Sequence, residues 1–129
     1  MQPDSIELTL PASREWHSVA RLVLGGVGDR LNLPFEDLDD LQLAVERLLV
    51  EAASQETVRL RIEVVDQGVR VGVGPLAERA LADALQGPDG APGELTLRRI
   101  LQTVVDSFGV EELEEGGIVV RLQKAVRGR

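Results

Sequence analysis

The 129-residue sequence contains no cysteine, one histidine and very few aromatic residues. Without cysteine the chain can form neither a disulfide nor a thiolate metal site, and one histidine leaves zinc short of its usual ligands. Two Phe, one Trp and no Tyr provide almost no platform for stacking nucleic-acid bases. Disulfide scaffolds are therefore excluded, and zinc enzymes and Cys or Ser/His triad enzymes nearly so.

Long apolar runs and a positive charge balance are also missing. No run of about 18 apolar residues occurs, and the N-terminus, MQPDSIELTL, lacks the basic and apolar regions of a signal peptide. The net charge of −8 repels phosphate backbones and anionic lipid headgroups. We therefore expect a cytoplasmic protein that binds neither nucleic acid nor membranes.

The composition that remains is that of an ordinary globular protein. Hydrophobic residues make up 43% of the chain and charged residues 28%, which argues against disorder. A chain of this length suits one domain with a substantial core. We expect a single domain over residues 1–126 and a frayed tail at 127–129.

Two spacings of apolar residues predict the first two elements. Ile6 to Leu10 alternate with polar residues, as in a half-buried strand that Pro11 ends. Apolar residues then recur at helical spacing from Trp16 to Asn32, with Ser13 as the predicted N-cap. Glycines weaken this helix, so we expect three of them to pack closely against a neighbouring element: Gly25, Gly26 and Gly28.

The second predicted helix runs from Asp37 to Ser54 and begins with acidic residues, which complement the positive end of a helix dipole. Its apolar residues recur at i, i+3, i+4 and i+7 and predict a core-facing stripe: Leu38, Leu41, Ala44, Val45, Leu48, Leu49 and Ala52. The remaining face carries Gln42, Glu46, Arg47 and Glu51.

The second half of the chain predicts two β-hairpins with helical segments between them. The predicted segments are hairpins over 58–73 and 110–122, helices over Leu76–Leu85 and Leu95–Phe108, and a loop rich in Gly and Pro over 86–93. This order of elements predicts an α+β fold. We expect a two-layer α/β sandwich, with helices on one face of a mainly antiparallel mixed sheet.

Three short segments carry a resemblance to a known family. They are Leu10-Pro11-Ala12 with the later Ala20-Arg21, then DLQLAV over 40–45, and GGIVVRL over 116–122. In their order and spacing the chain resembles bacterial anti-sigma factors of the serine kinase type, members of the ATPase superfamily shared by gyrase, Hsp90 and histidine kinases (GHKL). The resemblance covers nearly the whole length and implies the histidine-kinase-like ATPase fold.

The first family motif is a Glu that activates a nucleophile, followed four residues on by an Asn that holds Mg²⁺. In this chain the corresponding positions are occupied by Arg47 and Glu51. An arginine cannot accept a proton near neutral pH, and the neighbouring Glu46 is turned by about 100° around the helix. We expect Arg47 and Glu51 to form a surface ion pair instead.

The second family motif is an Asp before a Gly-x-Gly turn, whose carboxylate binds the adenine amino group. Here the corresponding segment contains Arg70, Gly72 and Gly74 and no acidic residue. We expect the strand to continue through this segment and to end at Gly74-Pro75. The resemblance therefore implies a lost contact to adenine.

The third family motif is a glycine series at the start of the last helix, where bare backbone N–H groups bind phosphates. Gly93 keeps the first place, but Leu95 and Leu97 occupy the next two. Their side chains fill space that phosphate oxygens would need. After this helix the family often has an acidic residue; Asp106 stands there, and we interpret it as a surface or capping group.

Together the three altered motifs imply a degenerate member of the family. We expect a regulatory protein that acts by protein–protein recognition in transcriptional partner switching, with a sigma factor or an anti-sigma antagonist as partner. It would bind no ATP and no other cofactor, and would be a pseudoenzyme. The alternative is an active ATP-dependent serine/threonine kinase with Glu46 as base and Glu51 at Mg²⁺. A homodimer, or a heterodimer with a competent paralogue, is also left open.

The first helix supplies the candidate partner-binding residues. Arg14 and Arg21 suit an acidic partner, although a solvated helix face explains them equally well. Trp16 is either a partly buried anchor or an interface residue, where Trp is enriched. His17 lacks a catalytic partner, and we expect it to be exposed or hydrogen-bonded.

Overall fold

The computed structural model of the chain describes residues 4–66, 68–77, 81, 85 and 96–125. The described segments form five strands, three helices and one 3-10 turn. In chain order they are β1 (Ser5–Pro11), the 3-10 turn (Arg14–Trp16), α1 (His17–Arg30), α2 (Phe35–Glu51), β2 (Thr57–Val65), β3 (Gly68–Leu76), α3 (Leu97–Val104), β4 (Ser107–Glu112) and β5 (Ile118–Ala125).

The five strands form one sheet in the order β1-β2-β3-β5-β4. All four strand pairings are antiparallel. The α+β prediction and the two hairpins are thereby confirmed, whereas the described strands contain no parallel pair of the expected mixed sheet. Strand β5 enters between β3 and β4, so it joins the two hairpins into one layer.

The strand alternation decides which face of the sheet is covered. On β2, Val58, Leu60 and Ile62 are buried, while Arg59 and Arg61 point to the other face. The buried side chains pack with those of the helices into one core. The three helices therefore lie on one face of the sheet, and the opposite face carries polar side chains.

The ends of α1 differ from the sequence prediction. Ser13 precedes the 3-10 turn and makes no side-chain capping bond, so the predicted N-cap is wrong. The α-helix proper starts at His17, and Leu31 N–H donates to the carbonyls of Val27 and Gly28 at its end. Asn32 leaves the helix with φ 57°, in the left-handed region that Asn tolerates.

Of the three glycines in α1, only Gly28 shows the expected close packing. A Cβ on Gly28 would lie 3.0 Å from Cδ1 of Leu38 on α2. A Cβ on Gly25 would make an ordinary contact of 3.7 Å with Gln42, and one on Gly26 would meet nothing within 4 Å. The prediction is therefore confirmed at Gly28 and wrong at Gly26.

Helix α2 was predicted from Asp37 to Ser54. In the structure it begins two residues earlier, at Phe35, and ends three residues earlier, at Glu51. Its predicted core stripe is confirmed, since Leu41, Ala44, Val45, Leu48 and Leu49 are all buried.

A buried lysine ties α2 and α3 to the sheet. Lys124 Nζ on β5 donates to the Val104 carbonyl at 2.8 Å and lies 3.5 Å from Asp40 Oδ2 and 3.9 Å from Asp37 Oδ1. The carbonyl belongs to the last turn of α3, where helix hydrogen bonds run out. The lysine therefore joins three elements, a role that the sequence pattern did not reveal.

Helix α3 is shorter than the predicted Leu95–Phe108. Val105 is extended, with φ −122° and ψ 161°, so the helix stops at Val104 and Phe108 falls in β4. Strand β3 likewise runs through Gly74-Pro75, a cis peptide, to Leu76, so the predicted strand end and the helix start at Leu76 are wrong.

The final turn contains two glycines in the conformation that favours glycine. Gly116 has φ 97° and Gly117 has φ 89°, as a tight connection between β4 and β5 requires. The predicted 86–93 loop and the 127–129 tail lie outside the described residues. Of the predicted Leu76–Leu85 helix only two residues beyond Ala77 are described, Leu81 and Leu85, and both are helical and buried.

Candidate functional site

A groove of about 430 Å³ lies between the start of α1 and the polar face of α2. It brings together five residues that the sequence singled out, with further polar and apolar side chains; the five are Arg14, His17, Arg21, Glu46 and Arg47. The complete lining is Arg14, His17, Ser18, Arg21, Leu43, Glu46, Arg47 and Val50. Trp16 and Glu51 do not line this groove.

Arg21 joins α1 to the polar face of α2. Its Nε donates to Glu46 Oε2 at 2.7 Å and its Nη1 donates to Gln42 Oε1 at 3.2 Å. The Gln42 amide in turn donates to the Arg21 carbonyl at 2.9 Å. The hydrogen bond to Glu46 raises the pKa of Arg21 above its ordinary value. Because Gln42 and Glu46 lie one turn apart, one arginine engages both.

The expected Arg47–Glu51 ion pair is wrong. The described salt bridges pair Glu46 with Arg21 and contain no pair between Arg47 and Glu51. Arg47 lines the groove towards α1, where its Nε is buried and has no hydrogen-bond partner within the described chain.

His17 shares this condition. His17 is half-buried, and its Nε2 is buried and unpaired in the part of the chain that the structure describes, so the expected exposure or hydrogen bond is absent at this atom. A buried polar atom without a partner costs roughly 1–3 kcal/mol. Two such atoms lie at this groove, so the packing of α1 against α2 leaves polar atoms unpaired there within the described chain.

Two apolar side chains complete the groove, and the sequence analysis missed both. Leu43 is 43% exposed and Val50 is 44% exposed, although α2 has a separate buried stripe. The available signal was their spacing, since residues seven apart lie on the same side of a helix. Trp16 is 39% exposed and does not belong to the core cluster, so it is partly buried, and its role as an anchor or as an interface residue stays a prediction.

The second motif lies on the other side of the molecule. Arg70, Gly72 and Gly74 belong to β3 and line a depression on the helix-free sheet face, which Arg47 does not reach. A Cβ on Gly74 would lie 2.8 Å from the Ile118 carbonyl oxygen of β5. Close strand packing therefore requires glycine at 74, whatever the ancestral role of the motif.

The third motif is described only at its last position. Gly93 and Leu95 lie outside the described residues, whereas Leu97 is the first residue of α3 and packs against the core. The Thr96 hydroxyl accepts a hydrogen bond from the Arg99 N–H at 3.1 Å. This cap, which the sequence analysis missed, occupies one of the N–H groups that an anion at this helix start would use.

The last residue that the sequence singled out is Asp106, which follows α3. Asp106 is exposed, as the surface interpretation predicts, and its Oδ2 accepts a hydrogen bond from the Ala125 N–H at the end of β5, at 2.6 Å. Within the described ranges no group of three or more His, Asp or Glu side chains is placed to hold a metal ion. No helix among the described residues is long and apolar enough to cross a membrane.

Comparison with known proteins identifies relatives of one kind. No protein-family model matches the chain. The serine-protein kinase RsbW of Halalkalibacterium halodurans is 28% identical over 145 aligned residues, which cover 95% of this chain and 84% of that protein. The RsbW of Bacillus velezensis is 26% identical, covering 97% and 88%. The RsbW of Oceanobacillus iheyensis is 39% identical over 51 residues, or 40% of this chain and 32% of that protein.

A solved structure agrees with the sequence relatives. The crystal structure of the RsbU and RsbW domains of a Mycobacterium tuberculosis protein superposes with a TM-score of 0.68 and 14% identity. The match covers 96% of this chain and 33% of the longer one, and at this identity it shows the fold alone. Sequence and fold together confirm the resemblance: the chain is similar to the RsbW serine-protein kinases over nearly its whole length, and it has the fold of an RsbW domain.

Proposed function

We propose that this protein regulates transcription by binding other proteins in a partner-switching circuit, through the groove between α1 and α2. The proposed partner is a sigma factor or an antagonist of an anti-sigma factor. The RsbW names of its relatives support this class of function.

The composition of the groove is the observation that carries the proposal. Exposed Leu43 and Val50 provide an apolar contact area within a ring of charged side chains, which is the usual anatomy of a protein interface. Arginine is enriched among residues that dominate binding energy. Three arginines and one glutamate line the groove of a chain with net charge −8, so it favours an acidic segment with apolar side chains.

Arg47 and His17 add polar groups to the lining of this surface. A guanidinium pairs well with a carboxylate, so Arg47 favours a partner with an acidic side chain over one that merely covers the groove.

We propose further that the protein works without ATP and without phosphoryl transfer. Arg47 in the seat of the base cannot accept a proton, and Glu46 is held in an ion pair with Arg21. No acidic residue stands beside Gly72 and Gly74 to bind adenine. A pseudokinase of this kind needs no metal and no nucleotide.

Partner binding is tested by titrating the protein against candidate sigma factors and antagonists from the same organism. Leu43→Asp and Arg47→Ala should each weaken the affinity at least about tenfold, because the first places a charge in the apolar patch and the second removes a positive charge from the groove. Leu22→Asp is the matched control, since Leu22 is 74% exposed on α1 and does not line the groove. Equal affinities for groove and control variants would reject the groove.

The nucleotide part of the proposal has its own test. Calorimetric titration with Mg-ATP should show no binding in the micromolar range, and radiolabelled ATP should give no phosphorylated antagonist at stoichiometric protein. Micromolar binding or phosphotransfer would instead support the kinase, with Glu46 as base. This result would leave the groove as a partner site intact, because the two tests are independent.

A further inference from the structure

The helix-free face of the sheet contains a depression of about 470 Å³ centred on β3. The register places Gly72 directly between Arg61 of β2 and Arg121 of β5. Gly74, two residues further, lies opposite Arg59. Four arginines therefore line the depression around a strand residue without a side chain: Arg59, Arg61, Arg70 and Arg121.

Three of these arginines belong to a ladder of ion pairs along and across the strands. Arg61 pairs with Glu63 of its own strand at 3.2 Å and with Glu7 of β1, and these two hydrogen bonds raise the pKa of Arg61. The other two pairs are Arg70 with Glu63 at 3.5 Å and Arg121 with Glu111. Exposed pairs of this kind are common on open sheets and contribute little to stability. The ladder alone therefore indicates no ligand.

Two charged side chains that line the depression take no part in these ion pairs. Arg59 and Glu115 both line it, and neither side chain forms a hydrogen bond or an ion pair with a described residue. They have opposite signs and are not within ion-pair distance of each other. The lining contains four arginines and four glutamates, so it is neutral in a strongly acidic chain.

Packing does not explain the glycine at 72. A Cβ there would lie 3.5 Å from Cγ1 of Val119, an ordinary contact, whereas one on Gly74 would collide with the β5 backbone. A glycine inside a strand weakens the strand and often marks a place where a ligand approaches closely. Gly72 leaves the floor of the depression open where a side chain would fit.

We propose that this depression binds a small zwitterion of the amino-acid class, with Arg59 holding its carboxylate, Glu115 its ammonium group and Gly72 forming the floor. The volume falls within the range of about 300–1,000 Å³ that is typical of small-molecule sites. A ligand of both charges matches the neutral lining and the two unpaired groups, whereas a simple anion would meet four glutamates. Charge-assisted hydrogen bonds at both ends would orient it.

The test is a calorimetric titration of the whole chain with zwitterions of graded length: glycine, β-alanine, γ-aminobutyrate and ε-aminocaproate. Caproate and hexylamine serve as ligands with one charge. At least one zwitterion should bind about tenfold more tightly than either of these, because it forms both charged contacts. Arg59→Gln and Glu115→Gln should each remove most of this advantage.

Two further variants separate binding from folding. Gly72→Val should lower the affinity at least about tenfold while its circular dichroism and melting temperature stay at or above wild type, because valine favours strands. Arg30→Gln removes an exposed arginine of α1 far from the lining and should change nothing.

Three results would overturn the proposal. The first is that caproate binds as tightly as the zwitterions, which would indicate a general anion site. The second is that no zwitterion binds. The third is a dimer in sedimentation that Arg59→Gln dissociates. The last would show that the face is an interface between copies.

Discussion

Replacing the buried Lys124 by methionine tests how α2 and α3 are held on the sheet. The variant removes the 2.8 Å bond to the Val104 carbonyl and the ion pairs with Asp40 and Asp37. A buried carbonyl left without a donor costs about 1–3 kcal/mol. The aspartate side chains are 41% and 20% exposed, so water recovers much of the lost attraction.

Methionine offsets part of this loss of stability, because its side chain fills a similar volume and suits an apolar site. We therefore expect Lys124→Met to lower the free energy of unfolding by about 2 kcal/mol. This corresponds to a fall of about 8 °C in melting temperature for a domain of this size. Urea denaturation followed by circular dichroism at 222 nm measures both the midpoint and its slope.

Arg121→Met is the matched control for this prediction. It removes a positive charge three residues earlier on the same strand, but its ion pair with Glu111 is on the open sheet face and both side chains are about half exposed. Arg121→Met should therefore lower the free energy of unfolding by less than about 1 kcal/mol. Equal losses for the two variants, or a change of under about 0.5 kcal/mol for Lys124→Met, would refute the structural role of the lysine.

Three further substitutions test local features by the same denaturation assay. Gly26→Ala should raise the stability by about 0.5–1 kcal/mol, since its Cβ meets nothing within 4 Å in a helix, and a loss would contradict the packing. Gly74→Ala should lower it by about 1–3 kcal/mol, because the new Cβ would lie 2.8 Å from the Ile118 carbonyl oxygen; an unchanged midpoint would reject this contact. Thr96→Ala should cost about 1 kcal/mol through the lost cap of the Arg99 N–H, whereas Thr96→Ser should retain most of it.

Local pattern was sufficient for the elements whose residues carry a clear period. The alternation along β2 and the stripe of α2 were both confirmed, because burial on one face imposes a period of two on strands and of 3.6 on helices. The ends of elements were less predictable. Val105 continues an apolar helical pattern but adopts an extended backbone, since the chain must leave the helix before β4, which begins at Ser107 and pairs with β5.

The groove shows what local pattern could not supply. Arg21 and Glu46 are 25 residues apart, and only the packing of α1 against α2 brings them together. The same packing turns Arg47 towards α1 and away from Glu51, although helical spacing favoured that pair. Side-chain partners across elements depend on tertiary distances, so helical spacing gave the wrong partner here.

The sequence by itself determined the α+β class, the two hairpins and the family resemblance, because these follow from periodicity and from motifs that are local in the chain. Tertiary structure decided which polar residues meet. Lys124 reaches Asp40 across 84 residues, and the register of the two strand pairings of β3 surrounds Gly72 with arginines from three strands. Burial and strand register exist only once the helices have packed on the sheet. They bring charged residues that are distant in the sequence together, in the groove between α1 and α2 and in the depression on the helix-free face of the sheet.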